Sequence, residues 1–411
     1  MFGLIEGFLG SVPVGDSQPV RLMGVINLSR ESFYQGSVAG PHEALSLARA
    51  MKEEGADIID LGAVSTAPGS PAISEAVERE RLIPVLKDIL DNLDIAVSVD
   101  TQRAEIARDA LSHGAQCIND VSGLSDPKMA AYVAEYDGSL VIMASRERAG
   151  DLLHLNQIIP MLGKRTMAAV QAGVCPSRIS VDPGIGKWIP EKTPDCDFAI
   201  LDGMSRLRVL RRPVVAAISR KSFIGECLHE PDPFKRLAGT LAATAIAVYL
   251  GAHIVRTHDI SASRDTVVLS KAIRGRPAFS ADEELEVEVL SYLGQGVDLA
   301  ETLSLTEVDE MGFGTLCKKG SFRILAVRGV SSMEAIIIKQ EMLARGGDAA
   351  IPKLALRCDP RPEEVLIFGT VHQIAGLVKN LRGQPFRLSR LAERISEAIA
   401  LIDSQKRYIY R

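Results

Sequence analysis

The feature that most constrains the fold is an alternation of short, β-branched apolar runs with helical stretches before residue 260. Eight runs recur at a spacing of about 20 to 40 residues, which leaves room for one crossover helix between successive strands. They are Val20–Leu28, Ala56–Ala63, Ala96–Thr101, Gln116–Ser122, Ser139–Ser145, Ile179–Gly184, Pro213–Ser219 and Ala252–Asp259. Continuous apolar strands are typical of parallel sheets, so the pattern predicts a (β/α)₈ TIM barrel.

A change of pattern after Gly275 indicates a second, smaller unit. A chain of 411 residues is longer than most single domains. We predict the barrel in residues 1–280 and a small α/β module in residues 281–411. The elements expected there are an acidic helix at Ser280–Glu288, strands at Arg323–Val330 and Glu364–Gly369, a helix from a Ser331–Glu334 capping box through Leu343, and helices at Val371–Leu381 and Leu388–Ile402.

Composition and charge exclude several classes of function. Hydrophobic residues make up 46% of the chain and charged residues 24%, as in ordinary soluble globular proteins. A net charge of −5 offers no basic field for nucleic acid or anionic lipid. The longest apolar stretch, Leu241–Val255, is too short to span a bilayer, no signal peptide is recognisable, and the six cysteines form no CxxC pair. We therefore expect a cytoplasmic protein that binds neither nucleic acid nor membranes.

Polar residues follow seven of the eight predicted strands, at the point where each strand ends. They are Asn27, Ser65, Thr66, Asp100, Thr101, Asn119, Asp120, Asp182, Ser219, Arg220, Lys221, Arg256, His258 and Asp259. In a (β/α)₈ barrel these positions converge on the carboxyl-terminal rim, where such enzymes place their active sites. Asp and Asn also mark strand ends and helix caps for structural reasons alone, but their recurrence after nearly every strand favours a site.

The chemical types at this rim indicate two classes of ligand. Carboxylates and an amide suit a nitrogen-rich heterocycle, because a buried carboxylate can accept two adjacent N–H donors as a fork. Cations suit a phosphate or diphosphate. The first group comprises Asp100, Asn119 and Asp182, and the second comprises Lys221, Arg256 and His258.

Arg256 and His258 lie two residues apart on one predicted strand, so their side chains share a face and can grip the same anion. Asn27 is a suitable ligand for a hard cation beside that anion. The alternative interpretation of Arg256 and His258 is a structural ion pair with Asp259.

Seven segments of the rim form an ordered series along the chain. They are MGVINLSRESF (Met23–Phe33), GADIIDLGAVSTAPG (Gly55–Gly69), SVDT (Ser98–Thr101), INDVSG (Ile118–Gly123), VDPGIG (Val181–Gly186), SRKSFIG (Ser219–Gly225) and GAHIVRTHD (Gly251–Asp259). This series resembles the signature motifs of the dihydropteroate synthase family, over about residues 20–275. SRKSFIG together with RTHD in one barrel is the most specific part of the resemblance.

The resemblance implies roles for eight residues. The pterin would be held by Asp100, Asn119, Asp182 and Lys221, Mg²⁺ would bind Asn27 beside the diphosphate, and the diphosphate-bearing end would contact Thr66, Arg256 and His258. The catalytic set would be Asp100, Lys221, Arg256 and His258. Every position carries the residue type that the family expects, which argues against a decayed enzyme.

The implied reaction joins 6-hydroxymethyl-7,8-dihydropterin diphosphate to an aryl amine and releases diphosphate. The pterin ring helps to expel diphosphate, and the amine captures the cation left at the exocyclic methylene. Mg²⁺ with Arg256 and His258 would stabilise the departing anion, and Asp100 the transient cation. The resemblance also implies a homodimer formed through barrel helices.

Two loops depart from the bacterial pattern of this family. Bacterial relatives carry Thr-Pro-Asp-Ser-Phe where this chain has Leu28–Phe33, and Gly-Glu-Ser-Thr-Arg-Pro where it has Ala63–Pro68, so that Ala67 replaces an arginine. After VDPGIG, residues 187–190 read Lys-Trp-Ile-Pro where bacterial enzymes carry a Phe and Lys. The pattern is similar to the archaeal branch of the family, which is tied to tetrahydromethanopterin as well as folate.

The missing arginine bears on the identity of the amine. An arginine near the amine pocket is dispensable if the amine lacks the carboxylate of p-aminobenzoate. The hypothesis that follows is a ribofuranosyl-aminobenzene phosphate as the acceptor. Ordinary loop drift is the alternative, since Arg30 or Arg146 can supply the missing charge.

Two other functions stay open at the sequence level. A pterin-dependent methyltransferase uses a similar barrel with a corrinoid protein as partner, but it has no diphosphate to grip. A non-catalytic pterin-binding protein would keep the ring pocket while its loops decay. The segment Ala326–Ala350 resembles an accessory module of some family members, and no activity is assigned to it.

Overall fold

A computed structural model describes residues 4–29, 41–64, 73–275, 279–289, 310–353, 355 and 363–406. The chain divides into two compact units, one of which spans Ile5–Arg274 while the other contains Leu4 and the chain from Gly275 onward. The second unit thus begins slightly before residue 281, where the sequence predicts the small module.

The first unit is built around a sheet of eight parallel strands, which confirms the predicted barrel. Its strands, with a preceding hairpin, are β1 (Glu6–Leu9), β2 (Val12–Gly15), β3 (Arg21–Asn27), β4 (Ile58–Gly62), β5 (Ala96–Asp100), β6 (Cys117–Asp120), β7 (Ser139–Met143), β8 (Ile179–Asp182), β9 (Val215–Ala217) and β10 (Ile254–Thr257). The hydrogen-bonded order is β8, β7, β6, β5, β4, β3, β10, β9. A parallel bridge between Val181 and Val214 joins the two edges of the sheet.

Helices follow the strands and cover the outside of the barrel. They are α1 (Pro41–Glu54), α2 (Glu75–Asn92), α3 (Ala104–Ser112), α4 (Met129–Glu135), α5 (Leu155–Gln171), α6 (Pro194–Asp202), α7 (Ser222–Leu228), α8 (Leu237–Tyr249) and α9 (Ile260–Arg274), with short 3₁₀ helices at Pro176–Arg178, Met204–Leu210 and Pro233–Lys235. Helix α2 illustrates the local rule, because Leu82, Val85, Leu86 and Ile89 recur at helical spacing and are buried. Within the described ranges, no helix is both long enough and apolar enough to cross a membrane.

The hairpin of β1 and β2 fills the amino-terminal end of the barrel. Its Leu9 and Val14 pack into one apolar layer with side chains from the strands. The strand residues of that layer are Met23, Ile58, Ala96, Cys117, Val141, Val215 and Ile254. The backbone N–H of Gly10 also donates to Ser139 Oγ at 2.8 Å. Because this end is packed, the carboxyl-terminal end remains as the place for a site.

A buried charge cluster ties the hairpin region to the barrel. The Asp16 carboxylate is 1% exposed and accepts hydrogen bonds from Arg208 at 3.0 Å and Arg274 at 3.4 Å. Nε2 of His253 lies 3.3 Å from the same carboxylate. Burial alone raises the pKa of Asp16, but the hydrogen bond and charge of His253 and the charge of Arg208 hold it well below its usual range.

The second unit contains an antiparallel sheet and four helices among the residues described, in line with the predicted α/β module. The elements are β11 (Phe279–Ala281), β12 (Glu286–Val289), α10 (Glu310–Gly320), β13 (Phe322–Val330), α11 (Ser332–Leu343), β14 (Asp348–Ala350), β15 (Glu363–Thr370), α12 (Val371–Leu381) and α13 (Leu388–Lys406). The strand order is β11, β12, β13, β15, β14. The predicted capping box of Ser331 and Glu334 is present at the start of α11.

The helix predicted over Ser280–Glu288 is wrong, because this stretch forms a β-hairpin. Leu285 and Val287 lie two residues apart, so their side chains share one face of the strand, and both belong to the apolar core of this unit. The Glu286 carboxylate between them is compensated by Arg328 of the neighbouring strand at 2.9 Å. Acidic residues therefore do not mark a helix here.

We expect Asp16→Asn to lower the free energy of unfolding by about 3–5 kcal/mol, because it leaves buried arginines without their carboxylate. Urea unfolding at neutral pH measures the loss. Asp265→Asn is the control, since Asp265 is 85% exposed and 3.5 Å from its partner Arg264. Equal stability of the Asp16 variant and the wild type would contradict the assignment.

Candidate functional site

A cavity of about 380 Å³ opens at the carboxyl-terminal ends of the barrel strands. Seven of the eight residues selected from the sequence line it: Asn27, Asp100, Asn119, Asp182, Lys221, Arg256 and His258. The eighth, Thr66, lies outside the described residues. The structure therefore brings together side chains from one end of the barrel sequence to the other, from Asn27 in its first barrel strand to His258 after its last.

The strand geometry explains why these side chains meet. Along β10, Ile254 belongs to the apolar layer at the bottom of the barrel, while Arg256 and His258 line the cavity. Alternate residues of a strand face the same side. Asn27, Asp100 and Asp182 end their strands in the same way, so each strand delivers its last inward side chain to the cavity.

The guanidinium of Arg256 lies between two carboxylates. Its Nε donates to Asp60 at 2.6 Å, and its Nη2 donates to Asp100 at 2.8 Å. Asp60 is fully buried and also accepts from the Asn119 amide at 3.2 Å. Asp60 is not among the site residues predicted from the sequence. The available signal was a charged residue in the middle of the apolar strand IIDLG.

The alternative pairing of Arg256 with Asp259 is not formed. Asp259 instead accepts from Nε of Arg220 at 2.8 Å. Arg220 also donates to the carbonyls of Pro233 and Phe234, both at 2.8 Å. Within the SRK segment, Arg220 therefore holds the loops around the site while Lys221 lines the cavity.

The carboxyl group of Asp100 titrates near neutral pH. Burial raises its pKa, the charge of Arg256 opposes the rise, and the nearby Asp60 adds to it, so that the pKa is about 7. Asp100 is thus poised between its neutral and ionised forms under ordinary conditions.

Asp182 and Lys221 line the same cavity, and both bind the turn that follows β8. Asp182 Oδ1 accepts from the Gly184 N–H at 2.7 Å, and the Lys221 ammonium donates to the Ile185 carbonyl. Burial raises the pKa of Asp182, although Lys221 opposes this. Burial lowers the pKa of Lys221 to about 8, against the attraction of Asp182. The Lys221 ammonium also lies 5.2 Å from the centre of the Trp188 ring.

His258 is neutral near pH 7, so the prediction that it is one of the cations of the site is wrong. Burial lowers its pKa to about 3, and the charges of Arg256, Arg220 and Lys221 add to the effect. Nδ1 of His258 lies 2.9 Å from Ser219 Oγ. The imidazole can therefore exchange a hydrogen bond with an anion, but it brings no charge of its own near neutral pH.

The residues that depart from the bacterial pattern fall into two groups. Lys187 and Trp188 line the cavity. Arg146 is exposed and is not among the residues that line it, while Ala67 and Arg30 lie outside the described residues. Arg146 therefore does not supply the missing positive charge at the described cavity wall.

Metal binding has few candidate ligands in the described part of the chain. No group of three or more His, Cys, Asp or Glu side chains there could hold a metal ion. Asn27 offers an amide oxygen at the cavity, which is the kind of hard donor that Mg²⁺ accepts together with phosphate oxygens and water.

The barrel sequence matches one family of known proteins. The model of the family "Pterin binding enzyme" matches residues 23–258. A probable bifunctional folylpolyglutamate synthase/dihydropteroate synthase of Halobacterium salinarum is 38% identical over 267 residues, 63% of this chain and 32% of that protein. The chain thus spans about a third of that relative. The dihydropteroate synthase of Synechocystis is 34% identical over 284 residues, 66% of this chain and 97% of the relative.

A solved structure is similar over the same part of the chain. The dihydropteroate synthase of Coxiella burnetii in complex with pteroic acid has a TM-score of 0.59 and 32% sequence identity. The match covers 66% of this chain and 98% of that chain.

We expect Asp60→Asn to lower the pKa of Asp100 below about 7. The substitution removes a neighbouring negative charge and leaves Arg256 with Asp100 as its remaining anionic partner. Carbon-13 NMR titration of the Asp100 carboxyl measures the shift. Asp91→Asn, at an exposed position of α2, is the control. A pKa that stays constant or rises in the Asp60 variant would contradict the arrangement.

Proposed function

Because this chain belongs to the dihydropteroate synthase family and is therefore a transferase of pterinylmethyl groups, we propose that it joins 6-hydroxymethyl-7,8-dihydropterin diphosphate to an aryl amine and releases diphosphate. The observation that carries the proposal is the convergence of Asp100, Asn119 and Asp182 beside Lys221 and Arg256 in one cavity. A nitrogen-rich ring and an anionic leaving group need this combination of groups.

The pterin ring would be held by Asp100, Asn119, Asp182 and Lys221, all of which line the cavity. One oxygen of Asp182 already accepts from Gly184 N–H, and ring N–H groups would be further donors to this carboxylate. Donors of this kind favour the ionised form, so pterin binding would lower the pKa of Asp182 from its raised value. Lys221 would supply the complementary cationic donor.

The diphosphate-bearing end would lie near Arg256 and His258, with Thr66 as a further predicted contact. The guanidinium of Arg256 is fixed by Asp60 and Asp100, so its charge is in place before negative charge develops on the leaving group. An anion beside His258 would raise the pKa of its imidazole from about 3. In its ionised form, Asp100 would stabilise the transient cation at the methylene carbon. No nucleophilic side chain is required.

Mg²⁺ fits the donor set at Asn27, because one amide oxygen with diphosphate oxygens and water satisfies this ion. When bound, it would neutralise part of the charge on the leaving diphosphate.

Two observations bear on the amine and the pathway. Pteroic acid, the ligand named for the Coxiella burnetii enzyme, is a pterin joined to p-aminobenzoate, which favours that amine and folate biosynthesis. Two features favour an amine without a carboxylate, such as a ribofuranosyl-aminobenzene phosphate: Ala67 replaces an arginine, and Arg146 is not part of the described cavity wall. Such an amine would assign the chain to tetrahydromethanopterin biosynthesis. Direct competition between the two amines decides the pathway.

The experiment that tests the function is diphosphate release from the purified protein with the pterin diphosphate and Mg²⁺, run in parallel with each amine. We expect amine-dependent release, and roughly a 100-fold loss of kcat/KM in Lys221→Met, because a charged donor in the site is removed. Lys235→Met, at an exposed position, is the control and retains wild-type activity.

The alternative functions predict no diphosphate release, and two further assays separate them. Methyl transfer to a corrinoid protein without diphosphate release would assign the methyltransferase. Pterin binding by calorimetry without Mg²⁺-dependent turnover would assign a binding protein.

A homodimer is the assembly that the barrel surface favours. Val268, Leu269 and Ile273 of α9 are 64%, 63% and 62% exposed, and Ile246 and Tyr249 of the adjacent α8 are 49% and 44% exposed. We propose that a second copy covers this apolar face.

Sedimentation velocity is expected to give a dimer for the wild type and for Met167→Glu, and a monomer for Leu269→Glu. A monomeric wild type would contradict the proposal.

A further inference from the structure

A buried lysine and a buried aspartate lie behind the cavity wall without lining it. Lys192 and Asp197 are each 1% exposed, and the Lys192 ammonium lies 3.6 Å from Asp197 Oδ1. Neither residue lines the cavity, and the proposed reaction does not use them. Burial of both charges is costly unless their partners compensate, so the pair requires an explanation.

The pair holds the backbone of residues 184–186 at two points. Lys192 Nζ donates to the Gly184 carbonyl, and Asp197 Oδ1 accepts from the Gly186 N–H at 2.8 Å. Gly184 and Gly186 have φ values of 75° and 118°, which only glycine adopts readily. The two hydrogen bonds restrain a turn that its own glycines leave conformationally permissive.

The same turn holds two of the proposed pterin-binding groups. The Gly184 N–H donates to Asp182 at 2.7 Å, and the Ile185 carbonyl accepts from Lys221. A Cβ placed on Gly186 would lie 2.8 Å from Lys221 Cδ, so the lysine side chain lies directly against this glycine. A shift of the turn would therefore displace both Asp182 and Lys221.

We propose that Lys192 and Asp197 are positioning residues for pterin binding, acting through the turn at residues 184–186 on Asp182 and Lys221. This inference rests on the proposed function and concerns only the pterin half of the reaction. The positive charge of Lys192 also supports pterin binding, because it lowers the pKa of Asp182 and so favours the ionised carboxylate that accepts the ring N–H groups.

The main test is the double variant Lys192→Met/Asp197→Asn, which removes both charges and leaves neither partner buried and unpaired. We expect the KM for the pterin diphosphate to rise about tenfold, corresponding to about 1.4 kcal/mol. The KM for the amine is expected to change less than about twofold. The related variant Lys192→Met/Asp197→Leu also removes the acceptor for Gly186 N–H, so its KM for the pterin diphosphate should rise further.

Two further variants complete the design. Asp195→Asn changes an exposed carboxylate in the same first turn of α6 and should behave as wild type. Lys192→Gln/Asp197→Asn removes both charges, as the first double variant does, and its amides can still offer a donor to the Gly184 carbonyl and an acceptor to Gly186 N–H. It replaces the first double variant if that protein does not fold, and its KM for the pterin diphosphate should exceed the wild-type value.

The outcomes separate positioning from a purely structural role. Turnover by the wild type supports the proposed function. The inference is then overturned by any of three results for the variants: an unchanged KM for the pterin diphosphate, a fall in kcat alone, or an equal rise of both KM values. If the wild type releases no diphosphate, that function fails, and calorimetry with the pterin diphosphate then tests the same variants. Equal pterin affinity across the series, or no binding by the wild type, would overturn the inference as well.

Discussion

The placement of Arg256 inside the barrel is the constraint on which the site depends. A guanidinium in this position needs compensating charge, and Asp60 from β4 and Asp100 from β5 provide it. These residues come from three strands, and β4 and β10 lie on either side of β3, so the charge balance of the site depends on the order of strands in the sheet. Two carboxylates thus share one cation, and the negative charge of Asp60 contributes to the raised pKa of Asp100, which is about 7.

The barrel contains a second buried charge cluster, and a comparison of the two separates stability from function. Asp16 lies among Arg208, His253 and Arg274, and its carboxylate is completely enclosed. There the cations outnumber the acid, and the pKa of the aspartate falls. Around Arg256 the acids outnumber the cation, and one carboxylate faces a cavity. The first arrangement holds the hairpin region in place, whereas the second leaves Asp100 able to change its charge.

The barrel and most of the site could be predicted because their signals are local. Apolar β-branched runs define the strands, and a polar residue at each strand end is delivered to one rim whatever the details of packing. Asp60 could not be assigned a role in this way, because its partner Arg256 lies 196 residues away. The charge state of His258 depends on burial and on three neighbouring cations, which spacing does not reveal. In Ser280–Glu288, the acidic composition suggests a helix, although Leu285 and Val287 are two residues apart, as expected for the buried face of a strand.

Trp188 is the only tryptophan of the 411-residue chain, and it lines the cavity. Its indole N–H donates to the Ile185 carbonyl at 3.3 Å, and its ring lies beside the Lys221 ammonium. Light that excites indole in preference to tyrosine therefore produces emission from a single position in the molecule. The protein carries an intrinsic optical reporter whose colour and brightness depend on the contents of the cavity, without any added label.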